Sequence, residues 1–115
     1  MQVTQNRQDK LELRAGILRA LANPSRLLML EHMESGDRTV SELTDKVGSD
    51  MSTVSRHLSV LRNAGIVECT HDGNRRRYSL RASCVLGFLD CVEDILEGGT
   101  GSCSRDFLRS RRVEK

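Results

Sequence analysis

At 115 residues, with 37% apolar and 30% charged content, the chain has material for one modest core and too little for a second domain or a large enclosed active site. With no Trp, one Tyr and two Phe that core is aliphatic, and part of its stability is expected from homodimerisation. The net charge of +2 hides a concentration: the stretch from Arg56 to Arg81 holds six arginines against Glu68 and Asp72, an excess that would attract a polyanion.

The start, MQVTQNRQDK, lacks an apolar signal core and no run reaches membrane-spanning length, so a cytoplasmic protein with no membrane partner is expected. A first helix is expected from about Asp9 to Ala22. There Leu11, Ala15, Leu18 and Ala22 keep helical spacing, Leu13, Ile17 and Leu21 widen the stripe, and much of the surface should be buried. Asn23 and Pro24 supply an N-cap and a first-turn proline for a second helix, which runs through LLML to Met33 and is closed by Gly36. Thr39 and Glu42 stand at capping-box spacing and open a short third helix that ends at Gly48.

The turn GSD leads into MSTVSRHLSVLRNAG, the most informative stretch of the chain. Met51, Val54, Leu58 and Leu61 form a one-sided apolar stripe, while Ser52, Thr53, Ser55, Arg56, Ser59 and Arg62 form the opposite face. No acid occurs between Met51 and Ile66. Hydroxyls interspersed with guanidinium groups are partners for phosphate oxygens and base edges in a major groove, so this helix is expected to contact DNA. His57 lies in the same helix, where a DNA contact and a packing or capping role are both open. Two helices joined by so short a turn make a helix-turn-helix.

Ile66 to Thr70 and Arg75 to Leu80 read as strands around His71-Asp72-Gly73-Asn74, a hairpin that would form a basic wing. Strand alternation places Arg75 and Arg77 on one face and Arg76 on the other, so at least one should reach a phosphate or the minor groove. A last helix is expected from Ser83 as N-cap, with Val85, Phe88, Leu89, Val92 and Leu96 on one face, until Gly98 and Gly99 stop it. Residues 1–97 are thus expected to form the DNA-binding and dimerisation domain, and residues 98–115 a flexible basic tail. No nucleophile paired with a base, phosphate-binding glycine loop or convergent acid cluster is present, so no enzyme and no organic cofactor are expected.

The segments LRALANPSRLLML, TVSELTDKVG, STVSRHLSVLRNAGIV and the hairpin ending in RRRYSL resemble the ArsR/SmtB family of winged-helix metalloregulators over roughly residues 11 to 97. The resemblance implies a mainly α fold with a small β-hairpin: a dimeric winged helix-turn-helix whose first and last helices pair across the dimer. It implies a repressor whose DNA binding is weakened by an effector; two such helices in a dimer are expected to meet an imperfect inverted repeat in double-stranded DNA. Many arsenic and cadmium members carry Cys-x-Cys at the start of the third helix, and this chain has Thr39 and Ser41 there, hydroxyls that are poor ligands for a thiophilic ion.

The remaining candidates are the cysteines. In a reducing compartment Cys69, Cys84, Cys91 and Cys103 read as metal or redox ligands, or as small core residues, rather than as a disulfide framework. Cys84 and Cys91, seven residues apart, share a face of the last helix but lie roughly 10 Å apart along its axis, too far to close comfortably on one ion. Cys84 of one chain with Cys91 of the partner, or a returning Cys103, would complete a site. The trio Cys84, Cys91 and Cys103 suits As(III) or Sb(III) as effector; Cd(II), Pb(II) or Zn(II) sensing and a persulfide or redox response are the alternatives. A constitutive DNA-architectural module with inert cysteines is a further rival. Cys69, in the wing, is the spare thiol.

Overall fold

A computed structural model describes residues 2–99, with side chains from residue 6 onward. The order is α1 (Gln2–Leu21), α2 (Pro24–Glu34), β1 (Arg38–Thr39), α3 (Val40–Val47), α4 (Met51–Asn63), β2 (Val67–Asp72), β3 (Arg75–Leu80) and α5 (Cys84–Leu96). These elements fall into two compact units, one ending at Ala82 and one beginning at Ser83. The architecture is mainly α with a small antiparallel sheet, the winged helix-turn-helix expected from the sequence.

Local chemistry sets the helix boundaries. Asn23 caps α2, its Oδ1 accepting the Arg26 backbone N–H at 3.1 Å, and Pro24 fills the first turn where an N–H would have no partner. In α3 both halves of the capping box are made: the Glu42 N–H donates to Thr39 Oγ1 at 3.2 Å and the Thr39 N–H donates to Glu42 Oε1 at 2.9 Å. Helix α4 ends in a Schellman motif, with the Gly65 N–H on the Arg62 carbonyl and the Ile66 N–H on the Leu61 carbonyl. The motif needs a left-handed residue, and Gly65 has φ 80°. The next residues, Ile66 and Val67, are buried, so α4 passes without slack into the sheet.

The core of the first unit is aliphatic, as composition requires. Met29, Leu30, Leu43, Val54, Leu58 and Leu61 from α2, α3 and α4 are completely buried, joined by Ile66, Val67 and Tyr78. Each such aliphatic side chain contributes about 1.5–3 kcal/mol relative to exposure.

Five expectations are corrected. Helix α1 starts at Gln2 rather than near Asp9, since its polar beginning contains no Gly or Pro and is rich in residues of good helix propensity. It is not buried over much of its surface: Ala20 and Leu21 are buried, but Leu11, Leu13 and Leu18 are exposed, Leu11 and Leu18 on one side of the helix and Leu13 on the other. Met51, assigned to the inner stripe of α4, is exposed because it occupies the first turn, beyond the core that Val54 starts. Strand β2 continues to Asp72, which pairs with Arg75, so the wing turn is the two-residue loop Gly73-Asn74. Gly73 has φ 68° and no non-glycine residue among the described residues has positive φ, the sign pattern of a type II′ turn, which puts glycine first. Finally, Ser83 occupies the N-cap position of α5 without a side-chain cap hydrogen bond, its backbone being already helical at φ −63°, ψ −23°.

The sequence also missed β1. This two-residue strand pairs with β3, setting Arg38 opposite Tyr78 and Thr39 opposite Arg77, and makes β3 the central strand of the order β1-β3-β2. Arg38 reaches back to α2, its Nε donating to the His32 carbonyl at 2.9 Å, and so satisfies the end of that helix.

Candidate nucleic-acid interface

The fold turns the two faces of α4 in opposite directions. Val54, Leu58 and Leu61 are completely buried, and this fixes the rotation of the helix. Ser52, Ser55, Arg56, Ser59 and Arg62 are consequently exposed, while Thr53 and His57 are half-buried at the border. At the N-terminus Asp50 Oδ1 accepts the Thr53 N–H at 2.8 Å. That bond, with the Arg56 charge adding to it, holds the Asp50 carboxyl below its usual range, so it remains an acceptor for the cap. The exposed face carries donors and no carboxylate.

The wing adds a second cationic element. Arg75 and Arg76 are exposed beside the turn, whereas Arg77 is half-buried. Arg77 has an inward role: its charge, with that of Arg38, helps the Thr39 hydrogen bonds hold the Glu42 carboxyl below its usual range. Between the wing tip and the start of α3 lies an open cleft of about 450 Å³ lined by Thr39, Ser41, Glu42, Asn74, Arg75 and Arg76. The Thr39 hydroxyl is spent on the α3 cap, where it accepts the Glu42 N–H.

His57 has a structural partner that sequence inspection did not find. Its Nδ1 lies 3.1 Å from Arg26 Nη1, across 31 residues of chain. Burial of the ring, then the charges of Arg26 and Arg56, lower its pKa below the ordinary value of 6.5.

The thiols are dispersed. Cys69 is half-buried in β2, its Sγ 3.9 Å from the Thr70 carbonyl, and opposite Tyr78 in the sheet. On α5, Cys84 is exposed and Cys91 buried, so the shared face expected from their spacing is solvated at one end and covered at the other. Cys103 and most of the expected tail lie outside the described residues. Among the described residues no three His, Cys, Asp or Glu side chains converge to hold a metal ion. No described helix is long and apolar enough to cross a membrane.

Comparisons with known proteins agree with this architecture. The model of the family described as bacterial regulatory protein, arsR family, matches residues 23–68, from the cap of α2 to the start of the wing. The nodulation protein NolR of Rhizobium meliloti is 37% identical over 89 residues, covering 77% of this chain and 73% of that protein. A probable mercury resistance operon repressor of Streptomyces lividans is 41% identical over 66 residues, 57% of this chain and 53% of that protein. Among solved structures, the homodimeric winged helix-turn-helix DNA-binding domain Mb0332 from Mycobacterium bovis superposes with a TM-score of 0.70 at 27% identity, covering 79% of this chain and 84% of that one. Family and fold coincide with a hydroxyl- and arginine-bearing helix backed by a basic wing: the chain belongs to the arsR family of bacterial regulatory proteins, and is a DNA-binding transcriptional repressor rather than an enzyme.

Proposed function

We propose that the chain is a cytoplasmic homodimeric repressor whose two α4 helices enter successive major grooves of an imperfect inverted repeat, roughly 34 Å apart. The observation that carries this reading is the exposed, acid-free face of α4, with Ser52, Ser55, Arg56, Ser59 and Arg62 outward and Val54, Leu58 and Leu61 locked inward. Thr53 and His57 border this face. The wing arginines Arg75 and Arg76 supply phosphate or minor-groove contacts, and Arg77 supports them from the sheet. Exposed Leu11 and Leu18 on α1, and Phe88, Ile95 and Leu96 on α5, supply apolar surface for a second copy. The homodimeric assembly of the similar Mycobacterium bovis domain supports that assignment.

The effector is a thiophilic ion, with As(III) or Sb(III) the first candidates and Cys84, Cys91 and Cys103 the ligands. The donor chemistry fits a soft ion, because the last helix offers two thiols and no histidine. One α5 alone does not fit: its two thiols are about 10 Å apart along the axis and no third ligand joins them among the described residues. The site therefore needs Cys91 of the partner subunit or Cys103 of the tail, which would link ligand binding to dimer geometry. A coupling of about 1–3 kcal/mol suffices to release DNA. The similar Streptomyces lividans protein, named for mercury resistance, favours a soft ion over zinc.

Elemental analysis of fully reduced protein after desalting, with arsenite, Hg(II), Cd(II) and Zn(II) run in parallel, tests the effector assignment. One arsenic or mercury per chain, lost on Cys84→Ser, is expected. Binding of Zn(II) alone would contradict the thiolate site. A sulfur adduct or intersubunit crosslink that survives denaturation would replace it with covalent sulfur sensing.

A further inference from the structure

The side chain of Arg26 joins three helices at one point. Its Nε donates to the Ala20 carbonyl at 2.6 Å and its Nη2 to the Arg19 carbonyl at 3.3 Å. Both carbonyls belong to the last turn of α1, and that of Arg19 also accepts the Ala22 N–H at 3.2 Å. The third arm, Nη1, meets His57 Nδ1 at 3.1 Å in the middle of α4. Arg26 itself is fixed at the start of α2, because its backbone N–H is held by the Asn23 cap.

Elementary chemistry assigns the proton on His57. A guanidinium stays protonated and carries donors only, so the Nδ1 facing it must accept. A neutral imidazole has one accepting and one donating nitrogen, which leaves the hydrogen on Nε2. The ring is half-buried, and the neighbouring charges are Arg26 from α2 and Arg56 from α4 itself, both of which oppose an imidazolium. A phosphate oxygen accepts hydrogen bonds and donates none. An Nε2–H can therefore meet phosphate, whereas an unprotonated Nε2 would repel it.

We propose that Arg26 is a positioning residue for DNA binding: it holds His57 of the recognition helix as a neutral Nε2–H donor and ties that helix to the last turn of α1. The inference rests on the assignment of α4 as the DNA-contacting helix. Its consequence reaches further, since α1 carries the exposed Leu11 and Leu18, side by side, that a second copy would cover. A shift in the last turn of α1 changes the carbonyls that orient the guanidinium, and through it the ring on α4. Dimer geometry thereby acts on the recognition helix through one side chain.

The test uses the full chain and two readouts. Long-range ¹H–¹⁵N correlation of the His57 ring in the free protein reads the tautomer, and titration against a duplex selected from randomised DNA reads affinity. Wild type should show an unprotonated Nδ1 and a protonated Nε2. Arg26→Met should give a mixture of tautomers, a raised His57 pKa and duplex binding weaker by about tenfold, the scale of one hydrogen bond to a charged group. His57→Phe, which keeps the ring's bulk and removes both nitrogens, should weaken binding to the same extent, and it answers the question even where Arg26→Met fails to fold. An unchanged tautomer in folded Arg26→Met, or His57→Phe bound as tightly as wild type, would overturn the proposal. A wild-type chain that binds no duplex while keeping the tautomer would overturn the DNA assignment itself and with it the role of Arg26, leaving only the hydrogen bond.

Discussion

The Thr39 hydroxyl is buried and accepts the Glu42 N–H at the start of α3, so Thr39→Ala leaves a donor without its partner. The variant should lower the unfolding free energy in urea by about 1 kcal/mol. Chemistry of this kind was legible in the sequence because a cap acts over three residues; Asn23 and the pair Thr39 and Glu42 are both made as expected. The pairing of Arg26 with His57 spans 31 residues and has no spacing signature, so the role of His57 stayed open until the helices were packed. Its lowered pKa has a defined sign. The unfolded chain takes up the His57 proton near pH 6.5 while the folded chain resists it, so this contribution to stability is present above pH 6.5 and is lost as pH falls toward the lower folded value. Urea unfolding followed across this range should show stability falling on acidification, and His57→Gln should flatten that dependence. An equal slope in the variant would assign the pH effect to other groups.

At the scale of elements, periodicity located every long helix and the wing, because one-sided burial leaves a regular trace in the sequence. It could not find β1, since two residues carry no period and the strand exists only through its pairing with β3. It also overextended burial on α1 and at Met51, because a helical stripe shows which side is apolar without showing how far the core reaches. Leu58 lies completely buried at the centre of α4, and Leu58→Ala should cost about 2–5 kcal/mol in denaturant unfolding. The wing makes a different prediction, about DNA and not about folding. Arg75 and Arg76 are exposed, so replacing both by Ala should leave the unfolding midpoint nearly unchanged and weaken duplex binding across sequences. The slope of log affinity against log salt should fall by about one for each phosphate that the wing no longer neutralises. A salt slope equal to wild type would remove the wing from the interface.

The whole molecule was legible as to class and family and illegible as to effector. Aromatic poverty and short length pointed to a small aliphatic core completed by a partner, and exposed Leu11 and Leu18 of α1 with Phe88 and Leu96 of α5 are the surfaces such a partner would cover. Leu18→Glu should therefore shift sedimentation toward monomer and weaken duplex binding with it, as expected when two recognition helices must act together. The effector escapes the sequence for a physical reason. Cys84 and Cys91 share a stripe of one helix but differ in exposure, and no third ligand converges with them among the described residues. The proposed site, completed by a partner thiol or by Cys103, would leave no spacing pattern in a single chain. The most direct measurement is a fluorescence anisotropy titration of a duplex selected from randomised DNA with fully reduced protein, repeated after addition of arsenite. The account predicts saturation at two protomers per duplex and release by arsenite in wild type but not in Cys84→Ser; equal affinity for unselected duplexes, or arsenite release that persists in Cys84→Ser, would contradict it.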